Sequence, residues 1–278
     1  MRSDVGDQSL ELVRILDYDS ELAALLHADD RRRLRDLLIA ESFTMARGRY
    51  DSFREYQPKV SSEMWLMIME GICGRSIHIN DGMFLELLGV GDVFTDFRVY
   101  PADDSWNTAP ILVLDRIRVA VLSRELLARI THFPLLLHIL LKRLDVRARR
   151  LSHQLAINSI VGIDRRIMMV FCQLANRWGR VTRAGVVLNI DLTNECLGHI
   201  VGGCCQSVST AKNDLMRRGV IERRSNGGWL VRMDPLDFEV DLDGSVVGEV
   251  YQQPVPANII IGRRGYDLRC NGRPAFQS

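Results

Sequence analysis

The sequence lacks an apolar run long enough to cross a bilayer. A spanning helix needs roughly 18–20 apolar residues, whereas the longest candidate, residues 135–141, ends at Lys142 and Arg143. The first residues include acids and lack the basic-then-apolar pattern of a secretion signal. We therefore expect a cytoplasmic protein that does not enter the membrane.

The sequence also lacks the spacings that mark metal sites and common catalytic centres. None of its 6 cysteines forms a C-x-x-C pair, and we interpret them as reduced cytosolic thiols. No H-E-x-x-H, G-x-S-x-G, P-loop or dinucleotide-binding G-x-G-x-x-G is present. We expect no enzymatic activity, no catalytic residue, no bound metal and no cofactor.

A formal net charge of +1 hides an uneven distribution of charge. Residues 1–133 contain 16 Lys/Arg against 22 Asp/Glu, whereas residues 134–158 contain 5 against 1. Residues 159–234 contain 11 against 6, and residues 235–278 contain 4 against 6. A basic middle behind an acidic front indicates that one part of the chain binds a polyanion.

The first half predicts a helix followed by short strands. Ser20 as a cap and leucines three and four apart predict a helix over residues 20–42, with Arg31 to Arg33 on its solvated face. Between residues 62 and 122 apolar residues alternate, and Asn80-Asp81-Gly82 is typical of a hairpin turn. Ile111–Val113 and Val119–Leu122 are two further strands. This spacing predicts a β-barrel or β-roll.

Pro134 begins a long predicted helix with an apolar seam. Steps of four and three along the seam favour a two-stranded dimer helix, although a single helix lying on its own domain has the same pattern. Its flanking basic residues are expected in solvent: Lys142, Arg143, Arg147, Arg149 and Arg150. Asn158 either sets the register or marks the helix end. The predicted seam consists of Leu137, Leu141, Leu144, Ala148, Leu151 and Leu155.

The next segment predicts a helix-turn-helix. Asp164 is predicted to cap a helix that ends at Gly179, followed by two short strands at Val181–Thr182 and Val186–Leu188. Thr193 then caps a short helix with Leu197, Ile200 and Val201 facing inward, and Gly202-Gly203 supply a turn. A second helix follows, with Val208, Ala211 and Leu215 buried. Two short helices joined by a glycine turn form this motif.

The second helix of this pair exposes small polar side chains that suit base edges in a major groove. Two apolar strands around Asn226-Gly227-Gly228 then predict a hairpin, or wing, whose arginines are placed to contact phosphate. The predicted DNA-binding residues are Gln206, Ser207, Ser209, Thr210, Lys212, Asn213, Arg223 and Arg224.

Over residues 20–233 the order of these elements resembles the Crp/Fnr superfamily of transcription regulators. The resemblance rests on the turn Gly89-x-Gly91-Asp92, on Leu192-Thr193 through Gly202, and on Ser207-Val208-Ser209-Thr210-Ala211. Gly227-Gly228-Trp229-Leu230 is similar to the wing of some actinobacterial members. The resemblance implies an α+β protein that binds double-stranded DNA as a homodimer, with RNA polymerase as a further partner.

The same resemblance divides the chain into four parts. Residues 1–133 would form a cyclic-nucleotide-binding-like β-roll that acts as a sensor, and residues 134–158 a dimerisation helix. Residues 159–234 would form the winged helix-turn-helix, and we interpret residues 235–278 as a partly disordered tail, with Asn258–Ile261 as its one candidate strand.

The chain departs from the family where ligands bind. No Arg or Lys lies between Ile200 and Lys212, where members carry an arginine that reads guanine, so we expect altered specificity, with Gln206 reading adenine. No Arg precedes Thr108, which argues against cyclic-nucleotide binding, and no Cys precedes Cys73, which argues against an iron–sulfur cluster.

Two further features and one alternative function stay open. His78 is interpreted as an ordinary hydrogen-bonded residue and not a haem ligand. Cys204-Cys205 is either a pair of small space-filling residues or a redox switch. The predicted function is a dimeric DNA-binding regulator of unknown effector. The alternative is a ligand-sensing or protein-interaction module that has lost specific DNA binding.

Overall fold

The structure is a computed structural model that describes residues 10–57, 64–79, 82–95, 108–232, 239–240 and 246–247. It has the α+β architecture that the sequence predicts, with a β-roll, a long helix and a winged helix-turn-helix in chain order.

The first elements form a helical cap beside the edge of a sheet. They are β1 (Glu11–Arg14), α1 (Ile15–Tyr18), α2 (Ser20–Leu25), α3 (Ala28–Leu37) and β2 (Ile39–Met45). The single helix predicted over 20–42 is wrong, because the chain breaks at Leu26 and becomes a strand at Ile39. The predicted cap is also wrong, since the Asp19 carboxylate and not Ser20 accepts the Leu22 N–H at 2.9 Å. Arg31 to Arg33 are exposed, as predicted.

Two antiparallel sheets form the roll. Besides β1 and β2, the roll contains β3 (Gly48–Tyr50), α4 (Phe53–Tyr56), β4 (Trp65–Glu70), β5 (Ile72–Ile79), β6 (Gly82–Gly89), β7 (Val93–Thr95), β8 (Thr108–Val113) and β9 (Ile117–Leu122). One sheet has the order β1-β2-β9-β4-β7 and the other β3-β8-β5-β6. Ile79 lies opposite Gly82, which confirms the predicted hairpin, although residues 80 and 81 lie outside the described residues. Phe43, Phe53, Phe94 and other buried apolar residues fill the interior.

The long helix α6 (Pro134–Ser159) follows α5 (Arg124–Ile130), and its inner face is partly charged. Leu136 and Ile139 pack against the helical cap. Further along, Arg143 pairs with Asp19 at 2.5 Å, Arg147 pairs with Glu86 at 2.7 Å, and Arg150 pairs with Asp92. The expectation that these three arginines lie in solvent is therefore wrong, whereas Lys142 and Arg149 are exposed. These three ion pairs hold α6 against the helical cap and the roll.

The winged helix contains α7 (Ile163–Trp178), β10 (Arg180–Thr182), β11 (Gly185–Leu188), α8 (Asn194–Val201), α9 (Cys205–Arg217), β12 (Ile221–Arg223) and β13 (Trp229–Val231). Its strands pair in the order β10-β11-β13-β12. The helix α7 ends at Gly179 as predicted, but Gly162 and not Asp164 occupies the N-cap. The φ of +98° at Gly162 favours glycine at that position.

The winged helix and the roll share a buried apolar cluster. Phe171, Leu197 and Trp229 lie in this cluster together with Leu85 of β6 and Leu114, which follows β8. After the wing, two short strands, β14 (Glu239–Val240) and β15 (Val246–Val247), pair antiparallel. The rest of the predicted tail, with the candidate strand Asn258–Ile261, lies outside the described residues.

Candidate nucleic-acid interface

A hydroxyl cap and a glycine turn fix the two helices of the helix-turn-helix. The Thr193 hydroxyl accepts the Cys196 N–H at 3.1 Å, which confirms the predicted cap of α8. The helix ends at Gly202, whose φ of +64° lies in the left-handed region. A side chain at Gly203 would meet the Ile163 side chain at 2.9 Å. The turn is therefore tight, and it sets the start of α9 close to α7 and α8.

The helix α9 buries one face and exposes small polar groups on the other. Val208 and Leu215 are fully buried, as predicted. The polar residues Gln206, Ser207, Thr210 and Asn213 are exposed, and Ser209 is half-buried. Such side chains carry the donors and acceptors that read base edges. The structure thus places six of the predicted DNA-binding residues on α9, these five and the half-buried Lys212.

The two adjacent cysteines lie at the start of α9. Both Cys204 and Cys205 are exposed, and Cys204 occupies the N-cap. The Ser207 hydroxyl lies 3.1 Å from the Cys204 sulfur, and its hydrogen bond lowers the pKa of the Cys204 thiol. Because both side chains are exposed, the interpretation of this pair as small space-filling residues is wrong.

A concavity of about 350 Å³ lies between α8, α9 and the wing. Its cations are Lys212 and Arg223, and the Lys212 ammonium donates to the Asn194 side-chain oxygen at 2.5 Å. Burial, and then the Arg223 guanidinium, lowers the pKa of Lys212. An anion such as a phosphate would offset both effects. Asn194 was not predicted, and its only sequence signal is its place directly after the Thr193 cap.

The two arginines of the wing have different surroundings. Arg223 pairs with the Asp191 carboxylate and lies over the Trp229 ring, 4.7 Å from its centroid. The Arg224 side chain has no ion pair or hydrogen bond with any residue in the described part of the chain. The sequence predicts the same role, a phosphate contact, for both arginines. The pairing of Arg223 with Asp191 could not be deduced, because local spacing does not show that Asp191 lies beside the wing.

The predicted seam of α6 is largely open to solvent. Leu137, Leu141 and Leu155 expose 40%, 56% and 73% of their surface, and Ala148 is also exposed. Leu144 and Leu151 are half-buried against the rest of the chain. A row of exposed leucines on one helix is an apolar surface that no other described residue of this chain covers.

A second concavity, of about 300 Å³, lies between β6, α6 and α7. Its lining is mainly apolar, and its charged groups already have protein partners. Glu86 pairs with Arg75 and Arg147, while Arg150 and Arg177 both pair with Asp92. Desolvation opposes ionisation of Glu86, but its two arginines hold the pKa of this carboxyl below its ordinary value. The charged groups that line this concavity are therefore all paired with neighbouring protein groups.

The described residues contain neither a cluster of metal-ligating side chains nor a membrane-spanning helix. Nowhere in the ranges that the structure covers do three or more His, Cys, Asp or Glu side chains come together as a metal site. No helix among these residues has the length and apolarity needed to cross a membrane.

Comparison with curated proteins gives two relatives and no family model. The chain is 27% identical over 138 residues to the CRP-like cAMP-activated global transcriptional regulator of Mycobacterium tuberculosis, in two strains. This match covers 49% of the chain and 61% of the relative, so the chain spans about three fifths of the relatives' length. No protein-family model matches the chain.

Solved structures share the fold. A CooA variant from Carboxydothermus hydrogenoformans matches with a TM-score of 0.52 at 17% identity, over 68% of this chain and 82% of that one. FixK2 from Bradyrhizobium japonicum matches at 0.53 and 13% identity, over 70% and 93%. The c-di-GMP responsive global regulator CLP from Xanthomonas campestris matches at 0.53 and 13%, over 74% and 99%. The chain therefore resembles a CRP-like transcriptional regulator across about half of its sequence and these three proteins in fold.

Proposed function

We propose that this chain is a Crp/Fnr-type transcription regulator that binds double-stranded DNA through α9 and the wing. The observation that carries the proposal is the exposed polar face of α9 beside a concavity that contains Lys212 and Arg223. Gln206 at the start of this face reads a base edge, and Arg224 of the wing contacts phosphate.

The protein acts as a homodimer in this proposal. The exposed leucines at 137, 141 and 155 lie along one helix of 26 residues. Pairing two such helices would bury these side chains and present α9 twice, as recognition of two DNA half-sites requires. Leu144 and Leu151, which are already half-buried, contribute less to such a dimer than the sequence pattern predicted.

In this proposal residues 1–133 act as a sensor, 134–158 as the dimer helix and 159–234 as the DNA-binding unit, and 235–278 form a tail of unassigned role. The curated relatives are named as transcription regulators and not as enzymes. We place the protein in the cytoplasm, with RNA polymerase as a further partner and no cofactor.

Selection of genomic DNA fragments by the purified full-length chain tests this function. The account predicts enrichment of fragments that share a short sequence, and binding of a duplex with that sequence above a scrambled duplex. Recovery of fragments with no shared sequence, and equal binding of both duplexes, would contradict a sequence-specific regulator.

A second candidate is a ligand-sensing or protein-interaction module without specific DNA binding. Two observations favour it, namely the absence of Lys and Arg between Ile200 and Lys212 and the pairing of Arg223 with Asp191. This candidate predicts no salt-dependent binding of duplex DNA.

A further inference from the structure

Two arginines of the β-roll contact two acids of the winged helix. Arg47, in the turn between β2 and β3, donates to Asp191 at 2.5 Å, and Arg49 of β3 donates to Glu195 at 2.7 Å. The partners of each pair are 144 and 146 residues apart in sequence. Asp191 lies just before the cap of α8, and Glu195 lies in its first turn. Two pairs therefore hold the start of α8 against the roll.

The turn that carries these arginines is itself fixed. The Tyr50 hydroxyl donates to the Ala46 carbonyl at 2.9 Å, which closes the turn. The Tyr50 ring also contacts the Tyr56 ring edge-on, with 5.0 Å between centroids. Arg47 and Arg49 are consequently presented on a braced turn, and their pairing needs little further ordering of the backbone.

Asp191 joins this contact to the wing. One carboxylate oxygen accepts from Arg47 and the other accepts from Arg223. These hydrogen bonds, first from Arg47 and then from Arg223, hold the pKa of Asp191 below its ordinary value. Arg47 thus orients the Asp191 carboxylate, which also pairs with Arg223. Arg223 lines the concavity where a DNA phosphate would lie, so Asp191 and a phosphate would compete for the same guanidinium group.

We propose that Arg47, Arg49, Asp191 and Glu195 form a latch that competes with DNA for the winged helix. In the latched state Arg223 binds a protein carboxylate, and α8 and the wing are docked on the roll. Release lets Arg223 turn to phosphate and lets the winged helix adjust to a duplex. The inference rests on the proposed DNA-binding function and adds the regulation of that interface.

The double variant R47Q/R49Q gives the sharpest test, because loss of two positive charges and loss of the latch change the affinity for DNA in opposite directions. Loss of two cations weakens DNA binding if only their charge matters. Loss of the latch strengthens it, by roughly fourfold to twenty-fivefold, because each of the two exposed ion pairs contributes a factor of about two to five. The matched control is R31Q/R33Q, which removes two exposed arginines of α3 that lie outside the latch.

Arg223 and Arg224 supply a second readout within the same chain. In the wild-type chain R223A should weaken DNA binding less than R224A, because Arg223 is held by Asp191 whereas Arg224 is not. In a D191N background, where Arg223 loses its carboxylate, the two substitutions should cost about the same. This coupling between Asp191 and Arg223 is what a latch requires.

The experiment is a fluorescence-anisotropy titration of all full-length variants with one duplex, together with amide hydrogen exchange of the free proteins. The latch predicts tighter DNA binding and faster exchange around Asp191 and α8 in R47Q/R49Q than in the wild type and the control. Equal or weaker DNA binding by R47Q/R49Q, or unchanged exchange, would overturn the latch and leave the function intact. If no variant binds DNA even at low salt, the proposed function fails, and the latch with it.

Discussion

At the Asp92 carboxylate, guanidinium groups from two helices meet. Arg150 of α6 and Arg177 of α7 both pair with Asp92, which also accepts the Gly89 N–H at 2.8 Å. The sequence identified Asp92 only as part of a turn, because its two arginines are 58 and 85 residues distant. Asp92 therefore joins the roll to both helices.

Replacement of Asp92 should destabilise the fold strongly. The variant D92N leaves two partly buried arginines without their carboxylate, which should cost about 3 kcal/mol of unfolding free energy. Urea denaturation at an unchanged m-value measures this loss. The control D145N breaks an exposed i,i+4 pair with Arg149 on α6 and should cost at most about 0.5 kcal/mol. Equal losses in the two variants would contradict a structural role for Asp92.

Gln206 should determine sequence preference. It is exposed at the first turn of α9 and has an amide that can pair with adenine. We expect Q206A to lower discrimination between the best duplex and single-base variants by about 1–3 kcal/mol. The variant R224A should instead weaken all duplexes about equally and flatten the salt dependence. Competition binding measures both, and an equal loss at every duplex from Q206A would contradict the assigned reading helix.

The predictable residues were those whose neighbours are local in sequence. The Thr193 cap, the Gly202 turn and the inward Val208 follow from spacing, and the structure contains all of them. Lys212 and Arg223 were predicted to bind DNA, but their contacts with Asn194 and Asp191 were not predicted. These partners lie 18 and 32 residues away, so periodicity carries no signal for them.

Among the elements, α6 shows what hydropathy can and cannot predict. Its start at Pro134 and its leucine seam follow directly from the pattern. Its arginines at 143, 147 and 150 were expected in water, because polarity alone assigns such residues to the surface. They share the steps of four and three that define one helix face, and carboxylates of the roll meet that face.

The outer face of α6 should control assembly. The substitution L141E places a charge in the exposed seam and should convert a dimer to a monomer, since a charge buried in a helix–helix interface lacks a partner. Sedimentation velocity measures the outcome. The control L12E changes an equally apolar, 74%-exposed residue of β1 outside the seam and should leave the dimer intact. A wild-type chain that is already monomeric at micromolar concentration would contradict the proposed dimer.

At the scale of the whole molecule, the order of the parts was predictable and their mutual contacts were not. The acidic front, basic middle and hairpin wing follow from composition and turns. Besides the shared apolar cluster, the docking of α8 on the roll uses Arg47 and Arg49, whose side chains are 62% exposed and carry no hydrophobic pattern. Exposed pairs of this kind depend on the folded geometry of both partners.

The proposed function depends most on the winged helix being a salt-dependent DNA-binding surface. The direct measurement is an anisotropy titration of the wild-type chain with a selected duplex from low to physiological salt. We predict a plot of log affinity against log salt with a slope of about −3 or steeper, because each neutralised phosphate contributes about −0.9. A slope near zero, or no binding at low salt, would contradict the account.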